Sequence, residues 1–224
     1  MFYKIALDGP SGAGKSTLAK SIARSLGILY VDTGAMYRAI GLYVRDHGVL
    51  ADDEEKVVSL LGDIKIELTF KDGTQHVLLC GEDVGDRIRT PEISMYASRV
   101  SAIPAVRTFL LDAQRKLAKN ASLIMDGRDI GTVIFPDAQV KIFLTASSLV
   151  RAKRRMLQGE VPAGASLEDV VRDIEKRDLQ DSTREVAPLK AASDAVTVDC
   201  SDMSLEETIE RISRIIEEKR SGRA

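Results

Sequence analysis

At the start of the chain, short apolar runs alternate with apolar residues at helical spacing. This pattern is typical of strands joined by helices. Residues 2–7 form a short apolar run, and Leu18, Ile22 and Leu26 then recur at helical spacing. Gly27 predicts the end of this helix, a second apolar run follows at residues 28–31, and Asp32-Thr33-Gly34 predicts the turn that leaves it. Two strands separated by one helix predict a βαβ unit, and such a unit favours a parallel sheet.

Later parts of the chain repeat this alternation. Residues 123–125, 140–144 and 195–198 are apolar runs that predict three further core strands. Helical spacing begins at Pro104, and Ser166 and Ser204 each open a capping pattern that predicts a further helix. The sequence therefore predicts an α/β, three-layer fold with a five-stranded parallel central sheet.

A different pattern interrupts the alternation in the middle of the chain. Residues 64–70 alternate strictly between apolar and polar side chains, which is the period of a half-buried strand. Asp72-Gly73 is a hairpin turn signal, and the apolar run 77–80 follows it. We therefore expect a small antiparallel β module inserted at about residues 62–85.

The first turn of the βαβ unit has a phosphate-binding pattern. Residues 9–16 read Gly-Pro-Ser-Gly-Ala-Gly-Lys-Ser, which matches G-x-x-x-x-G-K-[ST] between a predicted strand and a predicted helix. Glycines let backbone N–H groups surround anionic oxygens, and the helix start adds its positive dipole end. Lys15 can reach the β- and γ-phosphates of a nucleotide, and the hydroxyl of Ser16 can bind Mg²⁺. This pattern predicts a P-loop fold and nucleotide binding, but it does not identify the reaction.

Composition and charge exclude several classes of protein. Apolar residues make up 44% and charged residues 29% of the 224-residue chain, as in ordinary globular proteins. The 32 Lys and Arg nearly balance the 34 Asp and Glu, which gives no support to nucleic-acid binding. No apolar run approaches the ~18 residues of a membrane span, and no signal peptide is recognisable. We expect a cytoplasmic protein with two reduced cysteines and no zinc site.

Arginines follow the predicted strands where a second anion could bind. Arg38 comes after the second strand and Arg128 after the third, while Arg177 and Arg184 flank Asp181. Open α/β sheets bind ligands at the carboxyl ends of their strands, and the planar guanidinium matches phosphate oxygens. This placement favours an enzyme that phosphorylates another phosphate group.

At these residues the sequence closely resembles the bacterial cytidylate kinases. The resemblance rests on residues 8–15, 32–38 and 126–133 together with the Arg177-Asp178, Asp181 and Arg184 stretch, and it extends from residue 3 to about residue 215. It implies a single kinase domain over residues 1–224, a monophosphate-binding region over 33–105 and a short lid over 155–170. Thr33 stands where the resemblance leads us to expect serine more often, and both residues have a hydroxyl.

The resemblance also implies a role for each matching residue. The ATP phosphates would be held by Gly9, Pro10, Ser11, Gly12, Ala13, Gly14, Lys15, Ser16 and Thr17, with Arg151, Arg154 and Arg155 in or near the lid. The CMP phosphate would be held by Arg38, Arg128 and Arg184, with Thr33 and Tyr37 in the substrate site. The cytosine would be read by Ser98, Arg107 and Asp129, and the sugar would contact Arg177 and Asp181. Lys15, Arg38, Arg128 and Arg184 would carry catalysis.

The resemblance therefore implies magnesium-assisted transfer of a phosphoryl group from ATP to CMP and dCMP. A carboxylate such as Asp129 accepts from the 4-amino group of cytosine, whereas uracil presents a carbonyl there. Asp126 is our candidate to hold Mg²⁺ with Ser16; alternatively, it only organises the phosphate loop. The acceptor phosphate is already anionic at neutral pH, so no general base is required.

Two other functions stay open from the residues alone. One is a related small-molecule kinase, for another nucleoside monophosphate or for shikimate, against which the predicted hairpin and residues 126–129 argue. The other is a nucleotide-dependent switch, although the guanine-reading pattern Asn-Lys-x-Asp does not occur in the sequence. The apolar stripe from Ile209 to Ile216 predicts a helix packed on its own sheet rather than a dimer contact, and we expect a monomer.

Overall fold

The computed structural model describes residues 2–71, 73–159, 161 and 164–221. The strands are β1 Lys4–Asp8, β2 Leu29–Asp32, β3 Ile66–Lys71, β4 Thr74–Leu79, β5 Glu82–Asp83, β6 Leu123–Gly127, β7 Val140–Thr145 and β8 Val196–Asp199. The helices are α1 Lys15–Leu26, α2 Thr33–Asp46, α3 Glu54–Leu60, α4 Pro91–Val100, α5 Pro104–Leu117, α6 Ser148–Leu157, α7 Leu167–Thr183 and α8 Leu205–Arg220. A 3₁₀ turn at Leu61–Asp63 and a π-helical turn at Ile130–Ile134 complete the described elements.

The predicted fold class is confirmed. Five strands form a parallel sheet in the order β2-β6-β1-β7-β8, and β3, β4 and β5 form a separate antiparallel sheet in that order. In the register of the central sheet, Asp8 lies opposite Gly127 on one side and Phe143 on the other. The carboxyl ends of three neighbouring strands therefore meet at one edge, where the loops that follow them begin.

The chain divides into two compact units. Unit 1 comprises Met1–Val31 with Arg115–Ala224, and unit 2 comprises Asp32–Gln114. The core of unit 1 lies between the central sheet and helices α1 and α8, and it buries Ile5, Leu7, Leu18, Ile124 and Ile212. The core of unit 2 is built around the packing of α2 on α4. The boundaries predicted for the monophosphate-binding region and the lid stay predictions.

Several predicted helix ends are confirmed by their capping contacts. Ser166 and Ser204 each begin a helix with a reciprocal capping box, in which the serine hydroxyl accepts from a backbone N–H three residues later. Gly27 ends α1 with φ +63°, a left-handed conformation that glycine adopts without strain. Ile212 and Ile216 on α8 are buried in the core of unit 1, as the apolar stripe predicts.

The turn predicted at residues 32–34 is wrong. Asp32 is instead the N-cap of α2: its side chain accepts from the backbone N–H of Ala35 at 3.1 Å, so the helix begins at Thr33 without an intervening turn. The π-helical turn after β6 was not expected either. The predicted hairpin turn includes Asp72 and the predicted lid includes residues 160, 162 and 163, which lie outside the described residues. No helix in the described part of the chain is long and apolar enough to cross a bilayer.

Candidate phosphoryl-transfer site

The glycine-rich loop connects β1 to α1 and requires glycine at its first position. Gly9 has φ +150°, and a Cβ built on it would lie 2.0 Å from the backbone oxygen of Leu144 in β7. Gly14 is the N-cap of α1 with φ +95°. The loop therefore keeps its backbone close to the neighbouring strand, and its residues lie directly before a helix N-terminus, where anions are stabilised.

Lys15 is a buried lysine at the start of α1. Its side chain donates from Nζ to the backbone oxygen of Pro10 at 2.7 Å, and the residue is only 6% exposed. Burial and then the positive charge of Arg128 lower the pKa of Lys15 well below its usual range, while Asp126 and Asp8 oppose this effect. A buried ammonium group with this pKa gains strongly when an anion binds beside it.

Ser16 and Asp126 form a pair of oxygen donors next to Lys15. The Ser16 hydroxyl donates from Oγ to Oδ2 of Asp126 at 3.2 Å, and the Tyr30 hydroxyl donates to Oδ1 of the same carboxylate at 3.3 Å. Mg²⁺ prefers hard oxygen ligands and is usually held by one or two carboxylates with substrate phosphates and water. A hydroxyl and a buried carboxylate within hydrogen-bond distance fit that ion.

The three arginines expected in or near the lid lie on α6 and contact the loop. Arg151 is buried and donates to the Ala146 and Ser11 backbone oxygens, at 2.8 and 3.2 Å. Arg154 donates to the Ala13 backbone oxygen at 3.3 Å, and Arg155 donates to the Ser11 hydroxyl at 3.3 Å. These guanidinium groups hold two carbonyls and the Ser11 hydroxyl of the loop.

A second group of charges follows β6 and α7. Arg128 donates from Nε to Oδ2 of Asp181 at 2.9 Å. Arg184 lies 3.8 Å from Asp181 and 3.7 Å from Asp129, measured between guanidinium nitrogen and carboxylate oxygen. Burial raises the pKa of Asp181, but Arg128, Arg177 and Arg184 outweigh it, so the pKa lies below its usual value. We call Arg128, Asp129, Asp181 and Arg184 the arginine cluster.

Unit 2 holds the remaining expected substrate residues. Arg38 donates to the Asp32 carboxylate at 2.6 Å, and both side chains are about a quarter exposed, 26% and 25%. The guanidinium carbon of Arg107 lies 5.4 Å from the centroid of the Tyr37 ring, a cation–π distance. Arg107 also donates to the Ser101 backbone oxygen at 3.2 Å. Thr33 is buried at the first position of α2, and Ser98 lies on α4.

Sequence reasoning missed three carboxylates that hold these residues. Asp8 accepts from two backbone N–H groups after β6, Asp32 binds Arg38, and Asp178 binds Arg151 with both of its carboxylate oxygens. Asp8 and Asp32 each end an apolar strand, and Asp178 is adjacent to Arg177. For Asp8 and Asp32, the position at the end of a buried strand could have predicted these contacts, because a carboxylate there needs a partner.

The comparisons with known proteins agree with this geometry. A family model described as cytidylate kinase matches residues 5–218. The cytidylate kinase of Thermosipho melanesiensis is 49% identical over 217 residues, covering 96% of this chain and 97% of that protein. The cytidylate kinase of Lactobacillus gasseri is 47% identical over 220 residues, covering 98% and 96% respectively.

One solved structure supports the fold alone. The shikimate kinase from Bacteroides thetaiotaomicron superposes with a TM-score of 0.50 at 13% identity, covering 96% of this chain and 98% of that chain. The family match is much more specific, since it combines nearly half identical residues with coverage of nearly the whole chain. The chain therefore belongs to the cytidylate kinase family of nucleoside monophosphate kinases.

Proposed function

We propose that the protein transfers the γ-phosphoryl group of Mg·ATP to CMP and to dCMP, releasing ADP and CDP or dCDP. The observation that carries this proposal is the phosphate-binding loop with Lys15 beside the arginine cluster in unit 1. Phosphoryl transfer between two anionic nucleotides needs charge neutralisation and in-line positioning more than covalent chemistry. The names of the similar proteins support cytidylate as the acceptor.

The donor phosphates would bind residues 9–17. The N–H groups of the loop and the N-terminus of α1 would surround the phosphate oxygens. Lys15 would exchange its contact with the Pro10 oxygen for a phosphate oxygen, which restores its ammonium form. Arg154 and Arg155 would add positive charge from α6, next to the Ala13 backbone oxygen and the Ser11 hydroxyl that they already contact.

Ser16 and Asp126 would hold the magnesium ion. When bound, Mg²⁺ would neutralise the negative charge that develops on the phosphate oxygens. The hydroxyl of Ser16 would bind the ion directly, and Asp126 would bind it directly or through water. Tyr30 would orient Asp126 through the hydrogen bond that it already donates to the second carboxylate oxygen.

The acceptor phosphate would be bound by Arg38, Arg128 and Arg184. Each of these arginines now lies beside a carboxylate, so the phosphate would share or replace a partner that is already anionic. Arg177 and Asp181 would contact the sugar hydroxyls, and Tyr37 would pack beside the nucleotide. Arginine suits this task because its fork binds two phosphate oxygens at once.

The base would be read by Ser98, Arg107 and Asp129. Asp129 would accept a hydrogen bond from the 4-amino group of cytosine. With UMP, a carbonyl oxygen would face that carboxylate and stay unpaired, which costs about 1–3 kcal/mol. We therefore expect roughly ten- to hundredfold discrimination against UMP, since each 1.4 kcal/mol corresponds to about a factor of ten.

The test is an ADP-release assay with Mg·ATP and one acceptor at a time: CMP, dCMP, UMP, AMP, GMP or shikimate. We expect efficient release with CMP and dCMP only, and loss of release in Lys15→Met. Lys65→Met is the matched control, because Lys65 is exposed in unit 2 and forms its ion pair with Glu67. Release with UMP equal to that with CMP would refute the base assignment. Tight ATP binding without acceptor-dependent release would favour a nucleotide-dependent switch.

A further inference from the structure

Asp8 occupies a position to which neither the fold nor the proposed substrate contacts assign a role. It is the last residue of β1 and directly precedes the glycine-rich loop, and it is only 4% exposed. Its two carboxylate oxygens accept from the backbone N–H groups of Ile130 and Gly131, each at 2.7 Å. The two partners follow Arg128 and Asp129 in the chain, so one carboxylate joins the phosphate-binding loop to the arginine cluster.

The partners of Asp8 are the first N–H groups of the π-helical turn Ile130–Ile134. A helical turn leaves its first N–H groups without a partner within the turn, and a carboxylate is the strongest acceptor for them. Gly131 lies so close that a Cβ built on it would come within 3.3 Å of Oδ2 of Asp8 and 3.2 Å of Cδ of Lys141. The distance between Asp8 and this turn is therefore fixed from both sides.

Burying this carboxylate is costly, which argues against a purely space-filling role. Burial raises the pKa of Asp8 to about 6, although the N–H groups of Gly131 and Ile130 lower it, and the charge of Asp129 raises it further while that of Lys15 lowers it. At neutral pH the side chain is thus ionised, and both of its oxygens are used by one short segment of backbone.

We infer that Asp8 is a positioning residue for phosphoryl transfer: by holding the N–H groups of Ile130 and Gly131, it sets Arg128 and Asp129 at a fixed distance from the loop that carries Lys15. This inference rests on the proposed function, in which Lys15 binds the donor and Arg128 binds the acceptor. Asp8 itself does not contact either nucleotide. Its effect appears in the alignment of the two reacting groups rather than in the binding of ATP.

The test is the Asp8→Asn variant, which preserves the size of the side chain. An amide oxygen can accept from one of the two N–H groups, but the amide NH₂ then faces the other, so the turn must shift. A displacement of about 1 Å costs roughly 10²-fold in rate. We expect kcat with CMP to fall by about that factor while the KM for ATP stays within about threefold. Asp137→Asn is the matched control, because Asp137 is an exposed unit 1 carboxylate that pairs with Lys4.

A double-mutant cycle separates positioning from a merely structural role. In an Arg128→Ala background, the residue that Asp8 positions is absent, so Asp8→Asn should reduce kcat by less than about threefold further. An equal factor in both backgrounds, or an unchanged kcat in the single variant, would overturn the inference. If Asp8→Asn does not fold, Gly131→Ala replaces it in the cycle, because the added methyl group displaces the same contact.

A readout without turnover makes the failure of the inference distinguishable from that of the proposed function. The Nε–H group of Arg128 donates to Asp181, and its nitrogen-15 resonance can be assigned by its loss in Arg128→Lys. We expect this resonance to move in Asp8→Asn, or in Gly131→Ala if that variant replaces it, but not in Asp137→Asn. An unmoved resonance would overturn the inference even if CMP is phosphorylated; a moved resonance would support it even if CMP is not the acceptor.

Discussion

The two units differ in whether their charged residues are buried or exposed. Among the described residues, unit 1 contains seven of the eight charged residues that are buried: Asp8, Lys15, Asp126, Asp129, Lys141, Arg151 and Asp181. In the described part of unit 2, Arg107 is the one charged residue that is buried. Other arginines of unit 2 form ion pairs at the surface, such as Arg99 with Asp52 and Arg87 with Asp46, whose side chains are 33–67% exposed.

This difference separates charged groups that can bind a ligand from charged groups that are only solvated at the surface. Removing a charge from water costs several kcal/mol unless it is paired, and pairing with a neighbour often only balances this cost. Three of the buried charges in unit 1, on Asp8, Asp126 and Asp129, lie on or directly after β1 or β6, at the edge where strands end. Lys15 and Arg184, which face these carboxylates, gain a further partner when an anionic ligand binds, so substitutions here should affect activity most.

The largest effect is expected for Arg128→Ala. This change removes a guanidinium group from the proposed acceptor site, and arginines that stabilise transferring phosphate are worth about 10³-fold or more in rate. We expect kcat with CMP to fall by about 10³-fold, measured by ADP release, with the far-ultraviolet circular dichroism spectrum unchanged. Arg99→Ala, which removes an arginine of unit 2, is the control. Wild-type turnover in Arg128→Ala would remove this residue from the site.

Asp181→Asn should affect stability as well as rate. The arginine cluster then keeps Arg128 and Arg184 without the carboxylate that both of them face, and breaking a buried ion pair costs about 3–5 kcal/mol. We expect a loss of that size in the free energy of unfolding at pH 7, measured with urea. Asp52→Asn, at an exposed pair, should lose far less.

The pH dependence of this loss tests its electrostatic origin. The pKa of Asp181 in the folded protein lies below its ordinary value of 3.8, so the ionised form stabilises the fold above that pH. This contribution is lost as the pH falls below about 3.8 and through the folded pKa. The difference in the free energy of unfolding between wild type and Asp181→Asn should therefore become smaller in acid. A difference that does not change with pH would indicate a loss of packing instead.

The sequence predicted the parallel sheet and the phosphate-binding loop because both depend on local patterns. Apolar runs, helix caps and the spacing of glycines act over a few residues, and the structure follows them at Gly27, Ser166 and Ser204. Asp8 and its N–H partners in contrast are separated by more than a hundred residues. No local pattern encodes such a contact, since it arises only when β1 and β6 pair.

Helix α2 shows a second way in which sequence reasoning fails. Asp, Thr and Gly at residues 32–34 are favoured both in turns and at helix starts, so composition alone does not separate the two. The contact of the Asp32 side chain with the Ala35 N–H decides for the helix, and it places Arg38 on the second turn of α2, in contact with the same carboxylate. The sequence therefore indicates Arg38 as a site residue, but it does not indicate Asp32 as its partner.

A smaller effect, in protonation, is expected at Lys15. Its pKa is lowered in the free protein and should rise again when phosphate oxygens replace the Pro10 carbonyl as its partner. ATP binding should therefore take up protons at pH 8, by at most about one per nucleotide. Titration calorimetry in two buffers of different ionisation enthalpy measures this uptake. Lys15→Arg should abolish it, since arginine stays protonated, whereas Lys65→Met should leave it unchanged; equal heats in both buffers for the wild type would contradict it.

The smallest effect is expected at the surface pairs of unit 2, and it completes the contrast with the arginine cluster. Arg99 donates to Asp52 at 2.5 Å, but the two side chains are 43% and 67% exposed, so water and salt screen the pair. Arg99→Ala should lower the free energy of unfolding by at most about 0.5 kcal/mol, and the loss should shrink further at high salt. Kinetic constants with CMP should not change. A loss as large as that of Asp181→Asn would mean that burial does not decide how much an ion pair contributes to the stability of this protein. A short distance between the charged groups would then stabilise an exposed pair as much as a buried one.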